Sequence, residues 1–245
     1  MLQASHPFRP NHRAPVLDLD LLLRSEPDGL LDWLQRWRIE RLALCVVCVA
    51  IGAGLFGAAV GSWRDPLQAF YTGLKLPLVL LLTTLGNALV NGMLAPLLGL
   101  NVTFRQSLLL VLLTFTITAL ILGGFSPVVA FLVWNTAPLS AATRLVSTEY
   151  GLLQLTLATF VAYAGVLGNA RLVPVLRRLS AQAGVARNVL FAWLATNLLL
   201  GSQVSWLLRP FIWDPARPVE FLGPEYLRGS FFETVFEAVR RLILW

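Results

Sequence analysis

The sequence predicts an all-α polytopic transmembrane bundle of about five spanning helices, with amphipathic helices before and after it. Of 245 residues, 57% are hydrophobic and only 13% charged, about half the charge of an ordinary soluble domain. The mean hydropathy is +0.71, and the apolar residues fall in tracts of about 20, the length that crosses a bilayer core as a helix. That composition excludes soluble globular, disordered and collagen-like chains. Three regions follow: 1–41, a cytoplasmic arm ending in an interfacial helix; 42–208, the transmembrane bundle; and 209–245, an extracytoplasmic tail with an amphipathic helix.

Residues 1–24 combine Pro7, Pro10, Pro15, His6 and His12 with charges and lack periodicity, which predicts a flexible arm. Ser25 then offers an N-cap with Asp28 three residues on, and Leu30, Leu34, Trp37 and Arg41 recur at helical spacing. Trp33 and Trp37 beside Arg36, Arg38 and Arg41 suit a helix in the headgroup layer; a soluble cytoplasmic helix is the alternative. The first apolar tract starts near residue 42, behind charge, so it reads as an uncleaved anchor rather than a signal peptide.

The first span is 42–61, without a charge and closed by Trp63, Arg64 and Asp65. The second runs over 76–98, beginning beside Lys75, placed to snorkel to the interface. The third fits 107–125, where Gly123, Gly124 and Pro127 are expected to bend or end the helix. Residues 128–134 then either prolong a tilted helix or re-enter the membrane. The fourth and fifth spans fit 150–167 and 189–208. After Pro210, a proline-containing tail leads to Phe232, Phe236, Val239 and Ile243 on one helical face, opposite Glu233, Glu237, Arg240 and Arg241.

Arginine clusters orient the bundle. Arg36, Arg38 and Arg41, Arg105, and then Arg171, Arg177, Arg178 and Arg187 fall on one side; Arg64, Lys75, Arg144, Arg209 and Arg217 fall on the other. The positive-inside rule places the N-terminus and the 171–187 loop in the cytoplasm and the C-terminal tail outside. Basic residues at span ends are a topology signal rather than a nucleic-acid footprint, so no nucleic-acid partner is expected.

Residues for chemistry are sparse. Both histidines lie in the N-terminal arm, and Cys45 and Cys48 share a helical face without a third ligand, which favours two small core residues over a metal or redox site. No His-Glu-x-x-His, Gly-x-Ser-x-Gly or Gly-x-x-x-x-Gly-Lys motif is present, so neither enzymatic activity nor a cofactor is expected. No acid or base lies deep in the assigned spans. Neutral polar groups remain: Thr84, Asn87 and Asn91 on one face of the second span, Asn197 and Ser205 on one face of the fifth. They must face protein or water. One reading is interhelical hydrogen bonding; the sharper one is a polar seam that admits a small neutral solute, with Ser202 and Gln203 at its mouth.

Small residues mark close helix contacts. Ala53, Gly57 and Gly61 recur at four-residue spacing in the first span, and Ala164 with Gly168 repeats the pattern in the fourth. Packing within the chain and dimerisation are both consistent with these faces.

The tract Leu97-Leu98-Gly99-Leu100-Asn101-Val102-Thr103-Phe104-Arg105-Gln106-Ser107 resembles the Gly-x-x-Ser/Thr-Phe connection of bacterial Yip-like membrane proteins. The resemblance spans about the second to fifth helices and implies a five-span helical protein acting as a membrane adaptor without catalysis. The family's Asp-Leu-x-Gly-Pro motif is missing, and the connection follows the second span rather than the first. The tract is also similar to bacterial multi-pass proteins that carry an actin-binding label, but no Leu-Lys-Lys-Thr-like segment supports that function, and no functional residue transfers.

The sequence thus leads to a non-enzymatic interaction or scaffolding subunit, whose partners are the lipid bilayer and either another membrane protein or a second copy of the chain. The alternative is a permease or channel subunit for a small neutral solute. An intramembrane enzyme ranks third and would require Cys45 or Arg209 near a headgroup pocket with an acid such as Glu149.

Overall fold

A computed structural model describes residues 38–136, 148–180, 182–210, 219–222 and 229–233, with 148–152 and 154 described as backbone only. The order is α1 (Ile39–Gly61), α2 (Pro66–Leu97), α3 (Phe104–Asn135), α4 (Thr148–Ala170), α5 (Leu172–Leu179) and α6 (Ala183–Leu208). Regular structure among the described residues is helical throughout. Five segments are long and apolar enough to cross a membrane: α1, α2, α3, Leu155–Leu179 and α6. The chain is an integral membrane protein. The interfacial helix expected over 25–41 lies outside the described residues apart from its last four positions, and so does most of the amphipathic C-terminal segment.

Local chemistry sets the helix ends. Asp65 caps α2, its carboxylate accepting from the Leu67 N–H at 2.7 Å, and Pro66 occupies the first turn, where its missing N–H costs nothing. α2 therefore begins ten residues before the expected span, and its 32 residues extend about 48 Å at 1.5 Å per residue. It ends in a tight turn in which Gly99 takes a φ of +87°, a conformation that favours glycine. The Leu100 N–H returns to the Ala95 carbonyl at 2.9 Å, and Leu100 and Val102 point into the core.

Thr103 opens α3 with a capping box: its Oγ1 accepts from the Gln106 N–H at 3.3 Å, and Gln106 Oε1 accepts from the Thr103 N–H at 3.0 Å. Thr103→Ala is expected to cost about 1 kcal/mol of stability, read as a lower melting temperature in detergent, with Gln106→Ala giving a smaller loss.

α3 corrects a second expectation. It runs unbroken through Gly123, Gly124 and Pro127 to Asn135, so 128–134 prolongs the helix. A spanning helix tolerates proline where the ring meets no neighbouring helix, and the Pro127 ring lies on the exposed side. α4 and α5 do break, at Arg171. Pro174 has no N–H for the Ala170 carbonyl, and the chain restarts with proline in its first turn.

α3 is the hub of the bundle, contacting α1, α2 and α4, while α2 also packs on α1 and α6. Leu109 to Leu113 are buried consecutively, as expected of a helix surrounded by others. Apolar stripes remain on the outside: Val47, Ile51 and Leu55 on α1, and Phe70, Leu74, Leu78, Leu82, Leu85 and Leu89 along α2. Hydrocarbon is the solvent that suits them.

Candidate functional site

α2 and α6 are antiparallel, and their register brings the polar residues together. A Cβ on Gly201 would lie 3.6 Å from the Thr83 methyl, and one on Gly86 would lie 3.0 Å from Leu200. One turn further along α2, Asn87 Nδ2 donates to Asn197 Oδ1. Asn197 Nδ2 in turn donates to Asn169 Oδ1 at 3.5 Å. Three asparagines thus link α2, α6 and α4 in one chain of amides, while Asn87 and Asn91 are 0% exposed.

The other seam residues divide. Thr84 Oγ1 donates to the Leu80 carbonyl of its own helix at 2.7 Å, which satisfies it without a neighbour. Among the described residues, Asn91 has no hydrogen-bond partner on either side-chain atom, and Thr83 Oγ1, Asn87 Oδ1 and Trp193 Nε1 are likewise buried without one. The four-residue steps pair Thr83 with the level of Gly201, Asn87 with Asn197, and Asn91 with Trp193. Ser205 stands two turns beyond Asn197, half-buried, and is not joined to the amide chain. At the expected mouth, Ser202 Oγ folds back onto the Leu198 carbonyl at 2.6 Å, and Gln203 Oε1 is buried without a hydrogen-bond partner among the described residues.

Asn169 was missed because it falls beyond the span expected over 150–167. The available signal was an amide directly after Gly168, at the end of an apolar tract.

Lys75 requires the larger correction. Rather than snorkelling from the start of a span, it lies nine residues inside α2 and is 2% exposed. Its Nζ donates to the Glu220 carbonyl at 3.4 Å and sits 5.3 Å from the Phe221 ring centroid. Tyr71 packs edge-on against the same ring at 5.4 Å. Buried Gln68 Nε2 donates to Thr72 Oγ1 at 3.0 Å on the preceding turns. An ionisable group within an apolar helix is by default a functional candidate, but here the cation and its flanking aromatics fasten the segment after α6 onto α2. Arg209, the left-handed cap of α6 with φ +44°, stacks on Trp206 with 4.9 Å to the ring centroid.

The small residues form contacts within the chain. A Cβ at Gly57 would come within 2.5 Å of the Thr72 carbonyl oxygen, and one at Gly61 within 2.6 Å of Ala69 Cα and Gln68 O, so α1 and α2 meet backbone to backbone. Gly168 abuts Thr118 Oγ1 and lies 2.9 Å from Thr114 O by the same measure. Ala53 and Ala164 are fully buried. Gly52 and Gly123, neither read from the sequence as a packing residue, make a tighter crossing between α1 and α3.

Cys45 is buried and Cys48 half-buried, and neither forms a disulfide among the described residues. Among the described residues, no group of three or more His, Cys, Asp or Glu could hold a metal. The Glu149 side chain, named for an intramembrane enzyme, lies outside the described residues. Comparison with protein-family models, curated proteins and solved structures finds no match.

Proposed function

We propose that this chain is a non-enzymatic interaction or scaffolding subunit of a membrane assembly, as the Yip-like resemblance of residues 97–107 implies, and not a conduit for solute. One observation carries the choice: two of the amides that would line a path, Asn87 and Asn197, bond to each other. Asn87 donates to Asn197 and Asn197 to Asn169, with Asn87 and Asn91 fully buried. A permeation path instead needs polar groups facing a continuous water-accessible space.

The adaptor reading also draws support from the arginine-bearing end. α5 buries Leu172, Val175 and Leu176 and turns Arg177 and Arg178 outward, with Arg171 and Arg187 exposed on either side. Such a rigid cationic surface suits contact with a partner. Affinity purification of the tagged chain at native expression level, in several mild detergents, is expected to recover one reproducible stoichiometric membrane partner or a second copy of the chain. Recovery of isolated monomer under every condition, together with solute uptake in proteoliposomes, would overturn the reading.

The proposed orientation in a bacterial inner membrane, N-terminus in the cytoplasm, has its own test. A C-terminal reporter active only outside the cytoplasm is expected to be active, and a reporter placed between Arg178 and Arg187 silent. The opposite pattern would invert the bundle.

A further inference from the structure

At the end of the bundle where α5 turns into α6, a pocket of 340 Å³ opens between the two helices. Its walls mix two kinds of residue. Val173, Leu176, Ala186 and Leu190 supply apolar surface, and Arg177 from α5 and Arg187 from α6 supply two guanidiniums. Both arginines are exposed, and neither has a hydrogen-bond or ion-pair partner among the described residues. Two cations lining one concavity repel each other, and an anion between them relieves that repulsion; guanidinium matches the paired oxygens of a phosphate.

We propose that this pocket binds the headgroup of an anionic phospholipid, with the phosphate held between Arg177 and Arg187 and the glycerol and first methylenes lying against Val173, Leu176 and Leu190. The location selects lipid as the source of the phosphate. α6 is a spanning helix and Leu190 lies two turns inside it, so the apolar wall continues toward the hydrocarbon while the guanidiniums stay at its edge. Space for the headgroup is built in: a Cβ on Gly184 would meet nothing within 4 Å. The start of α6 adds to the attraction, since the positive end of the helix lies at the pocket and Gln182 gives it no side-chain cap. The inference does not rest on the subunit reading, because a lipid site serves a scaffold and a transporter equally.

The test is native mass spectrometry of the purified full-length protein, delipidated and offered phosphatidylglycerol and phosphatidylcholine together. The wild type is expected to retain phosphatidylglycerol with a preference of about thirtyfold, the effect of two arginines at an anionic headgroup. Arg177→Gln/Arg187→Gln should reduce that preference to within about threefold. Gly184→Leu, which fills the pocket and leaves every charge in place, should weaken retention of both lipids. Arg171→Gln/Arg178→Gln removes the same charge from exposed positions outside the pocket and should leave the preference intact. Equal loss in this control pair would reduce the effect to diffuse attraction and overturn the site. So would a preference that survives loss of Arg177 and Arg187, or displacement of the lipid by millimolar inorganic phosphate alone, which would identify a soluble anion. If Gly184→Leu does not fold, the two arginine pairs still decide the question.

Discussion

Replacing Gly52 by leucine is expected to destabilise the folded bundle severely. A Cβ at that position would lie inside the Ala119 carbonyl, 2.7 Å from its carbon and 3.2 Å from the Leu120 nitrogen. All of these are backbone atoms of α3, so no side chain can rotate away. On the other side, a Cβ at Gly123 would fall 2.9 Å from Gly52 Cα, so the two glycines are what allow α1 and α3 to touch. A leucine would force the helices apart and open the layer formed by Val49, Phe56, Leu112 and Ile117, all buried in the same core. Overpacking alone costs about 1–3 kcal/mol, and the lost packing around the displaced helix adds about as much again. Against a total stability of about 5–15 kcal/mol, Gly52→Leu should be recovered chiefly as aggregate on size exclusion in detergent, and Gly52→Ala should melt well below wild type. Gly124→Ala is the control: its Cβ meets nothing within 4 Å, and helix propensity favours alanine by about 0.5–1 kcal/mol. A Gly52→Leu protein that stays monodisperse with unchanged melting would show that α1 and α3 do not cross there.

The second large effect is expected at the asparagine chain. Asn197→Leu removes the acceptor of the Asn87 amide and the donor to Asn169 in one step, leaving a fully buried amide group without a partner. An abandoned buried polar group costs about 1–3 kcal/mol, although interhelical bonds in membranes average nearer 0.6 kcal/mol, so a loss of about 1–2 kcal/mol is expected. Asn87→Leu/Asn197→Leu should cost less than the sum of the single variants by about 0.6 kcal/mol or more, because the double variant strands no amide on α2. Denaturation of the four proteins in mixed detergent gives the coupling directly. Strict additivity would sink the bonded pair. The same variants separate the functional readings: in a scaffold they change stability and leave solute flux at background, whereas in a permease Asn87→Leu would lower flux with the fold intact.

How much was legible differed from residue to residue. Ala53, Gly57 and Gly61 stood out because a helix repeats its face every three to four residues, yet that spacing is the same whether the partner is α2 or another molecule. The Gln68 and Ala69 backbone at Gly61 is visible only in three dimensions. Lys75 was misread because hydropathy counts a lysine as a boundary, whereas the boundary was the Asp65-Pro66 cap ten residues earlier. Asn169 escaped because it lay beyond the assigned span, and its importance comes from a contact with Asn197, 28 residues away.

The sequence by itself determined that this is a helical membrane protein with five spans, since apolar length and charge spacing are one-dimensional properties that the bilayer reads directly. It also placed the neutral polar residues on common helix faces. Only the tertiary structure decided which faces meet: that Asn87 closes on Asn197 and Asn169, that Lys75 is covered by the segment after α6, and that Arg177 and Arg187 share a pocket. In hydrocarbon the hydrophobic effect no longer selects between helix faces, so their pairing depends on close fit and hydrogen bonds between distant parts of the chain.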